Sequence, residues 1–180
     1  MKNPILVVSL VLLLCFAFSC QNKAEKAELE KFRAQAALEE QNVALVKQMV
    51  EAFTKGDYEA VKNASSPGFV WYIPSKTMIA KSQEEMIGIG KQMLKAFPDL
   101  AISIEEAYAT GNRVAIRYKW RATHQGEWEG IPETGNKLEL TGTGIWRIEN
   151  GKVTENREDF DTLGFMTQLG MELKPKEVKK

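Results

Sequence analysis

The chain has 180 residues, with 24 Lys+Arg balanced by 24 Asp+Glu, one histidine and two cysteines. That balance excludes a basic nucleic-acid-binding surface and an acidic multi-cation store, and one histidine excludes a multi-histidine metal site within one chain. Cys15 and Cys20 both lie near the start, so the remainder has no internal disulfide and no thiol chemistry and depends on its hydrophobic core.

The first residues read as an export signal. A short start with Lys2 precedes an apolar run from Ile5 to Phe18, too short for the ~20 residues of a comfortable membrane span. The run ends at Ser19-Cys20, and Ala17-Phe18-Ser19-Cys20 resembles a lipobox, whose cysteine is lipidated and becomes the new N-terminus. The expectation is a signal peptide over 1–19, with Cys20 as lipidation site in a protein exported and lipid-anchored to the cell envelope. An ordinary signal peptide with an incidental cysteine is the alternative. Removal of 1–19 takes away Lys2 alone and leaves acids ahead of bases by one.

Residues 20–40 are rich in Ala, Glu and Lys and read as a charged helical tether, with a partner-binding helix as the second reading. The domain is expected over 41–171, before a charged tail at 172–180. Val43, Val46, Met49, Val50 and Phe53 recur at helical spacing, and Gly56-Asp57 stops that helix. A shorter helix covers Tyr58 to Ala64, and Ser65-Ser66-Pro67-Gly68 reads as a turn. Phe69 to Ile73 is a short strand closed by Pro74. A third helix carries Met86, Ile89, Met93, Leu94 and Phe97 on one face and ends at Pro98.

Strands follow. Ile102, Ile104 and Tyr108 share a parity before a Gly111-Asn112 turn. Val114, Ile116, Tyr118, Trp120, Ala122 and His124 then share one face, with Arg113, Arg117, Lys119 and Arg121 on the other. After a loop from Gln125 to Asn136, Leu138, Leu140, Gly142, Gly144, Trp146 and Ile148 share a face up to Asn150-Gly151, a two-residue hairpin signal. Strict alternation from that hairpin pairs Ile148 with Val153, Trp146 with Glu155, Gly144 with Arg157, Gly142 with Asp159 and Leu140 with Asp161. A bulge would shift the far end by one residue. A last helix runs from Thr162 to Leu169 and stops at Gly170. Helices first and antiparallel strands after them indicate an α+β fold: three N-terminal helices packed on a curved antiparallel sheet.

Ala96-Phe97-Pro98-Asp99-Leu100, Thr123-His124-Gln125-Gly126, Gly130-Ile131-Pro132-Glu133-Thr134-Gly135, Asn150-Gly151-Lys152-Val153-Thr154-Glu155, Asp161-Thr162-Leu163-Gly164 and Gln168-Leu169-Gly170 fall in one order. That ordered set resembles the SnoaL-like polyketide cyclases, the ester cyclase branch of the nuclear-transport-factor-2-like superfamily, over roughly Gln41 to Met171. The resemblance implies a cone with an internal pocket, and an intramolecular aldol closure without metal or cofactor. In such cyclases an aspartate near the end of the last strand is the general acid/base, and the matching position is Asp161. The alternation places Asp161 on the face of Trp146, Ile148 and Val153, where desolvation would raise its pKa. A helix cap at Asp161 is the competing role.

His124 ends an apolar face, where it either polarises a ligand oxygen or serves as a hydrogen-bonded wall residue. Arg157 departs from the family, which commonly has tryptophan there. Beside Glu155 it forms an ion pair, favours an ionised Asp161 or binds an anionic ligand, which puts polyketide substrates in question. Tyr118, Trp120 and Trp146, with Trp71, Tyr72 and Trp128, are candidates for an aromatic ligand site or for core. The expected partners are a small-molecule ligand and a membrane through the anchor, without nucleic acid, and a homodimer is an admissible assembly. A non-catalytic ligand-binding or protein-interaction module is the second functional reading.

Overall fold

The computed structural model describes residues 4–73, 76–172 and 174. Pro74, read above as a strand terminator, most of the charged tail and the Cys20 side chain lie outside what is described. The chain divides into two units, Met1–Leu38 and Glu39–Lys180.

Helix α1 runs from Pro4 to Lys55. In the first unit, side chains 23–38 are all exposed, as expected of a helix whose few apolar residues are widely spaced. Among the described residues no helix is long and apolar enough to cross a membrane.

In the second unit the end of α1 lays Val46, Met49, Val50 and Phe53 into the core. Helix α2 spans Tyr58–Ala64, with the Asp57 carboxylate accepting from the Ala60 N–H. Strands β1 (Ser65–Ile73) and β2 (Lys76–Ala80) follow, then α3 (Gln83–Ala96), capped by Ser82. Strands β3 (Ala101–Thr110), β4 (Arg113–Thr123), β5 (Lys137–Glu149) and β6 (Lys152–Phe160) lead to α4 (Thr162–Gln168). The sheet order is β2-β1-β6-β5-β4-β3.

Four of the five strand pairings are antiparallel, as expected, but β1 runs parallel to β6. The two are separated in sequence by α3 and four strands, so no hairpin dictates their direction. The expected turn at Ser65–Gly68 is instead the start of β1. Ser65 pairs with Val153, its hydroxyl donates to the Val61 carbonyl at 2.7 Å, and Gln83 Nε2 donates to its Oγ at 2.8 Å. Pro67-Gly68 is absorbed as a break in register between Ser65 and Val70, the usual accommodation of such residues in a strand.

The alternation on β4 and β5 is borne out. Val114, Ile116, Tyr118, Trp120 and Ala122 are buried, as are Leu138, Leu140, Trp146 and Ile148. The two strands pair without interruption from Arg113↔Arg147 to Thr123↔Lys137. The hairpin is also as expected, with Asn150 at φ 50° and Gly151 at φ 70°. Helix α1 is clamped to the β3–β4 turn at Glu39 and Asn42, where Asn42 Nδ2 donates to the Gly111 carbonyl (2.9 Å) and Glu39 accepts from its N–H (2.8 Å).

Beyond the hairpin the register departs from strict alternation. Ile148 pairs with Val153, but Arg147 then pairs with Glu155, Trp146 with Asn156, Gly144 with Glu158 and Gly142 with Phe160. Thr154 is the extra residue of a β-bulge. The bulge turns Asn156, Glu158 and Phe160 towards the concave face and Glu155, Arg157 and Asp159 away from it. Strict alternation would have driven those three charges inward, a cost far above that of one bulge.

Candidate functional site

The concave face, α1 and α3 line a cavity in two adjoining parts. The inner end, about 80 Å³, is lined by Met49, Phe53, Phe69, Ile116, Trp146 and Asn156 among others. The outer part, about 420 Å³, is lined by Ile73, Ile89, Phe97, Trp128, Leu140, Phe160 and Phe165 among others. Trp71, Met93, Tyr118, Trp120 and Glu158 line both. Two glycines on β5 make room for the side chains that line it. A Cβ on Gly142 would collide with the Tyr118 hydroxyl, and one on Gly144 would stand 3.0 Å from Trp146 Nε1.

Glu158 is the carboxyl at the junction. Its oxygens accept from Trp71 Nε1 at 2.9 Å, from the Tyr118 hydroxyl, and from Asn156 Nδ2 at 3.1 Å. Burial pushes Glu158 above the usual carboxylate range, opposed in part by those three donors, with the nearby Asp159 charge adding to the rise. Tyr118 is held strongly protonated by its own burial and by the Glu158 charge. The phenol therefore serves as a hydrogen-bond donor to Glu158. A carboxyl with a raised pKa in an aromatic cavity is suited to give and take a proton.

The structure separates the residues singled out from sequence. Tyr118, Trp120 and Trp146 line the cavity, as do Trp71 and Trp128. Asp161 does not share their face. It is exposed and caps α4, its Oδ1 accepting from the Gly164 N–H at 2.8 Å. The bulge at Thr154 is the physical reason, since it inverts the parity of every later β6 residue.

Arg157 and Glu155 are corrected for the same reason. Arg157 is exposed, lies over the Tyr72 ring at 4.2 Å, and donates to Glu155 from Nε at 3.1 Å. Arg147 also approaches Glu155, at 3.8 Å. These are outer-face contacts, and Tyr72 belongs to them rather than to the cavity.

His124 is fully buried, as the alternation implied, but it is not among the cavity-lining residues. Its ring packs 5.2 Å from Phe97, and Nδ1 lies 3.1 Å from the Thr134 hydroxyl. Its backbone N–H donates to Asn136 and its carbonyl accepts from Gly135. It is a wall residue that closes the loop between β4 and β5.

Glu158 and Asn156 were missed. The signal lay in Glu155-Asn156-Arg157-Glu158-Asp159-Phe160. Phe160 is the one large apolar residue there, and its parity conflicts with that of Val153, which marks an extra residue between them.

Comparison with solved structures places this architecture. A candidate SnoaL-like polyketide cyclase from Jannaschia sp. CCS1 superposes with a TM-score of 0.70 at 21% identity, over 76% of this chain and 96% of that one. AclR, a candidate hydroxylase from Streptomyces galilaeus, gives 0.65 at 30% identity, over 73% and 97%. IdmH, a candidate polyketide cyclase from Streptomyces antibioticus, gives 0.64 at 27% identity, over 72% and 99%. Among curated proteins none matches this chain. Residues 43–169 match the SnoaL-like polyketide cyclase model, most of the 41–171 span expected from sequence, and the chain belongs to that family.

Proposed function

We propose that the domain binds a small, largely apolar organic molecule in the cone and moves a proton on it, with Glu158 as the acid/base group. One observation carries this reading: the carboxyl at the junction of the two cavity parts is the one that burial shifts upward, within reach of three side-chain donors. The reaction class that suits it is proton transfer next to a carbonyl, as in a cyclisation or isomerisation. Tyr118 and Trp71 hold the carboxyl in place, and Trp120 and Phe160 supply apolar and aromatic surface. The apolar run and Cys20 support the further reading that the domain works outside the cytoplasm, tethered to the envelope by a lipid.

Deuterium exchange at the α-carbon of 2-tetralone in D2O, followed by proton NMR, tests the chemistry without knowledge of the natural substrate. The expected result is exchange above the buffer rate, falling roughly 100-fold or more in Glu158→Gln, the scale of a lost general base. Catalysed exchange that persists unchanged in Glu158→Gln overturns the assignment.

A further inference from the structure

We infer that Trp146 Nε1 and Asn156 Oδ1 form a subsite for a hydroxyl group carried by the bound molecule. This rests on the cavity being a ligand site and names the chemistry of what fills it.

Trp146 and Asn156 face each other across β5 and β6 and both line the inner end of the cavity. Trp146 is 9% exposed and Asn156 1%. Neither Trp146 Nε1 nor Asn156 Oδ1 has a hydrogen-bond partner among the described residues. Two such atoms side by side are uncommon, because buried polar atoms are nearly always satisfied. Both border the bare face of Gly144, where a Cβ would stand 3.0 Å from Nε1 and 3.2 Å from Oδ1. Gly144 has no side chain to come between the two atoms.

The pair is selective by its chemistry. An indole nitrogen only donates, and an amide oxygen only accepts. A hydroxyl does both and satisfies the two together, whereas an ether or carbonyl satisfies Trp146 alone and an ammonium satisfies Asn156 alone. The amide orientation follows from Nδ2 donating to Glu158 at 3.1 Å, since a flipped amide would set its oxygen against the carboxyl oxygen. The ligand hydroxyl is thereby fixed one amide away from the group that moves the proton.

The full chain is titrated with 2-naphthol, 2-methoxynaphthalene and naphthalene, with affinity read by calorimetry and the indole N–H resonances by NMR. We expect 2-naphthol to bind roughly five- to tenfold tighter than 2-methoxynaphthalene, the scale of one net hydrogen bond. The Trp146 indole proton should move downfield with 2-naphthol. Trp146→Phe should lose the preference and still bind naphthalene. Equal affinities in the parent, or a preference that survives Trp146→Phe, overturn the subsite. An indole proton already downfield without ligand and unmoved by 2-naphthol assigns the pair to a bound water and also overturns it. Binding of naphthalene without a hydroxyl preference leaves the cavity reading intact, whereas no binding of any of the three compounds removes both.

Discussion

Tyr118 and Gly142 are direct partners across β4 and β5, and the tyrosine ring lies over the bare Cα of the glycine so that its hydroxyl meets Glu158. Gly142→Ala puts a methyl where the phenol stands, with the Asp159 carbonyl 3.0 Å behind it. The ring must swing away and give up its bond to the carboxyl. We expect a loss of ~1–3 kcal/mol in urea unfolding, typical of overpacking, together with a loss of acid/base activity. Tyr118→Phe, which removes the hydroxyl and keeps the ring, should share the activity defect with a smaller stability cost. An alanine variant with parental stability and activity would show that Tyr118 does not need this glycine.

Asp161 provides the complementary test, because the structure gives it a cap and leaves it out of the lining that holds Glu158. Asp161→Ala should destabilise the protein by ~0.5–2 kcal/mol through the lost N-cap bond, whereas Asp161→Asn should be nearly neutral. Neither should change proton exchange per folded molecule, measured beside Glu158→Gln. Loss of exchange in a fully folded Asp161→Asn variant would return the acid/base role to this residue.

The contrast between these carboxylates shows what sequence could and could not reveal. Strands β4 and β5 were legible because each keeps one period-two pattern along its whole length, and the Asn150-Gly151 turn set their exit. The family motifs were legible for the same reason, being local runs in a fixed order. The acid/base candidate was not, because one extra residue at Thr154 reverses which of Asp161 and Glu158 faces inward. Turn residues misled at Ser65–Gly68, where burial of Ser65 under Gln83 and pairing with β6 override local preference. His124 was read onto the buried side correctly, yet Phe97 and Thr134 cover it, and no sequence pattern reports which core neighbour arrives from elsewhere in the chain.

Export is tested at Cys20. If this residue receives the lipid, Cys20→Ser should abolish incorporation of a radiolabelled fatty acid and release the protein from the membrane fraction. Equal label in the variant and the parent would refute Cys20 as the attachment site. Label lost from neither membrane nor protein would point to a different anchor.

The pH dependence of stability follows from Glu158 with a definite sign. Its folded pKa is raised above the ordinary value of 4.5, chiefly by burial, so the folded state holds the proton more tightly than the unfolded chain. Between the unfolded and folded pKa values the native protein binds more protons, and stability therefore falls as pH rises through that window. Below the window this contribution is constant, and above it the penalty of ionising the buried group is fully present. Glu158→Gln removes the titration while its amide oxygen can still accept from Trp71 and its NH2 faces the Tyr118 hydroxyl, which can accept. The variant should therefore gain stability relative to the parent as pH rises from about 4.5. Urea midpoints at stepped pH for the two proteins measure the difference directly. A difference that is flat with pH, or that shrinks as pH rises, would mean that Glu158 is already ionised at no cost in the cavity, and would remove the basis for a proton-donating role.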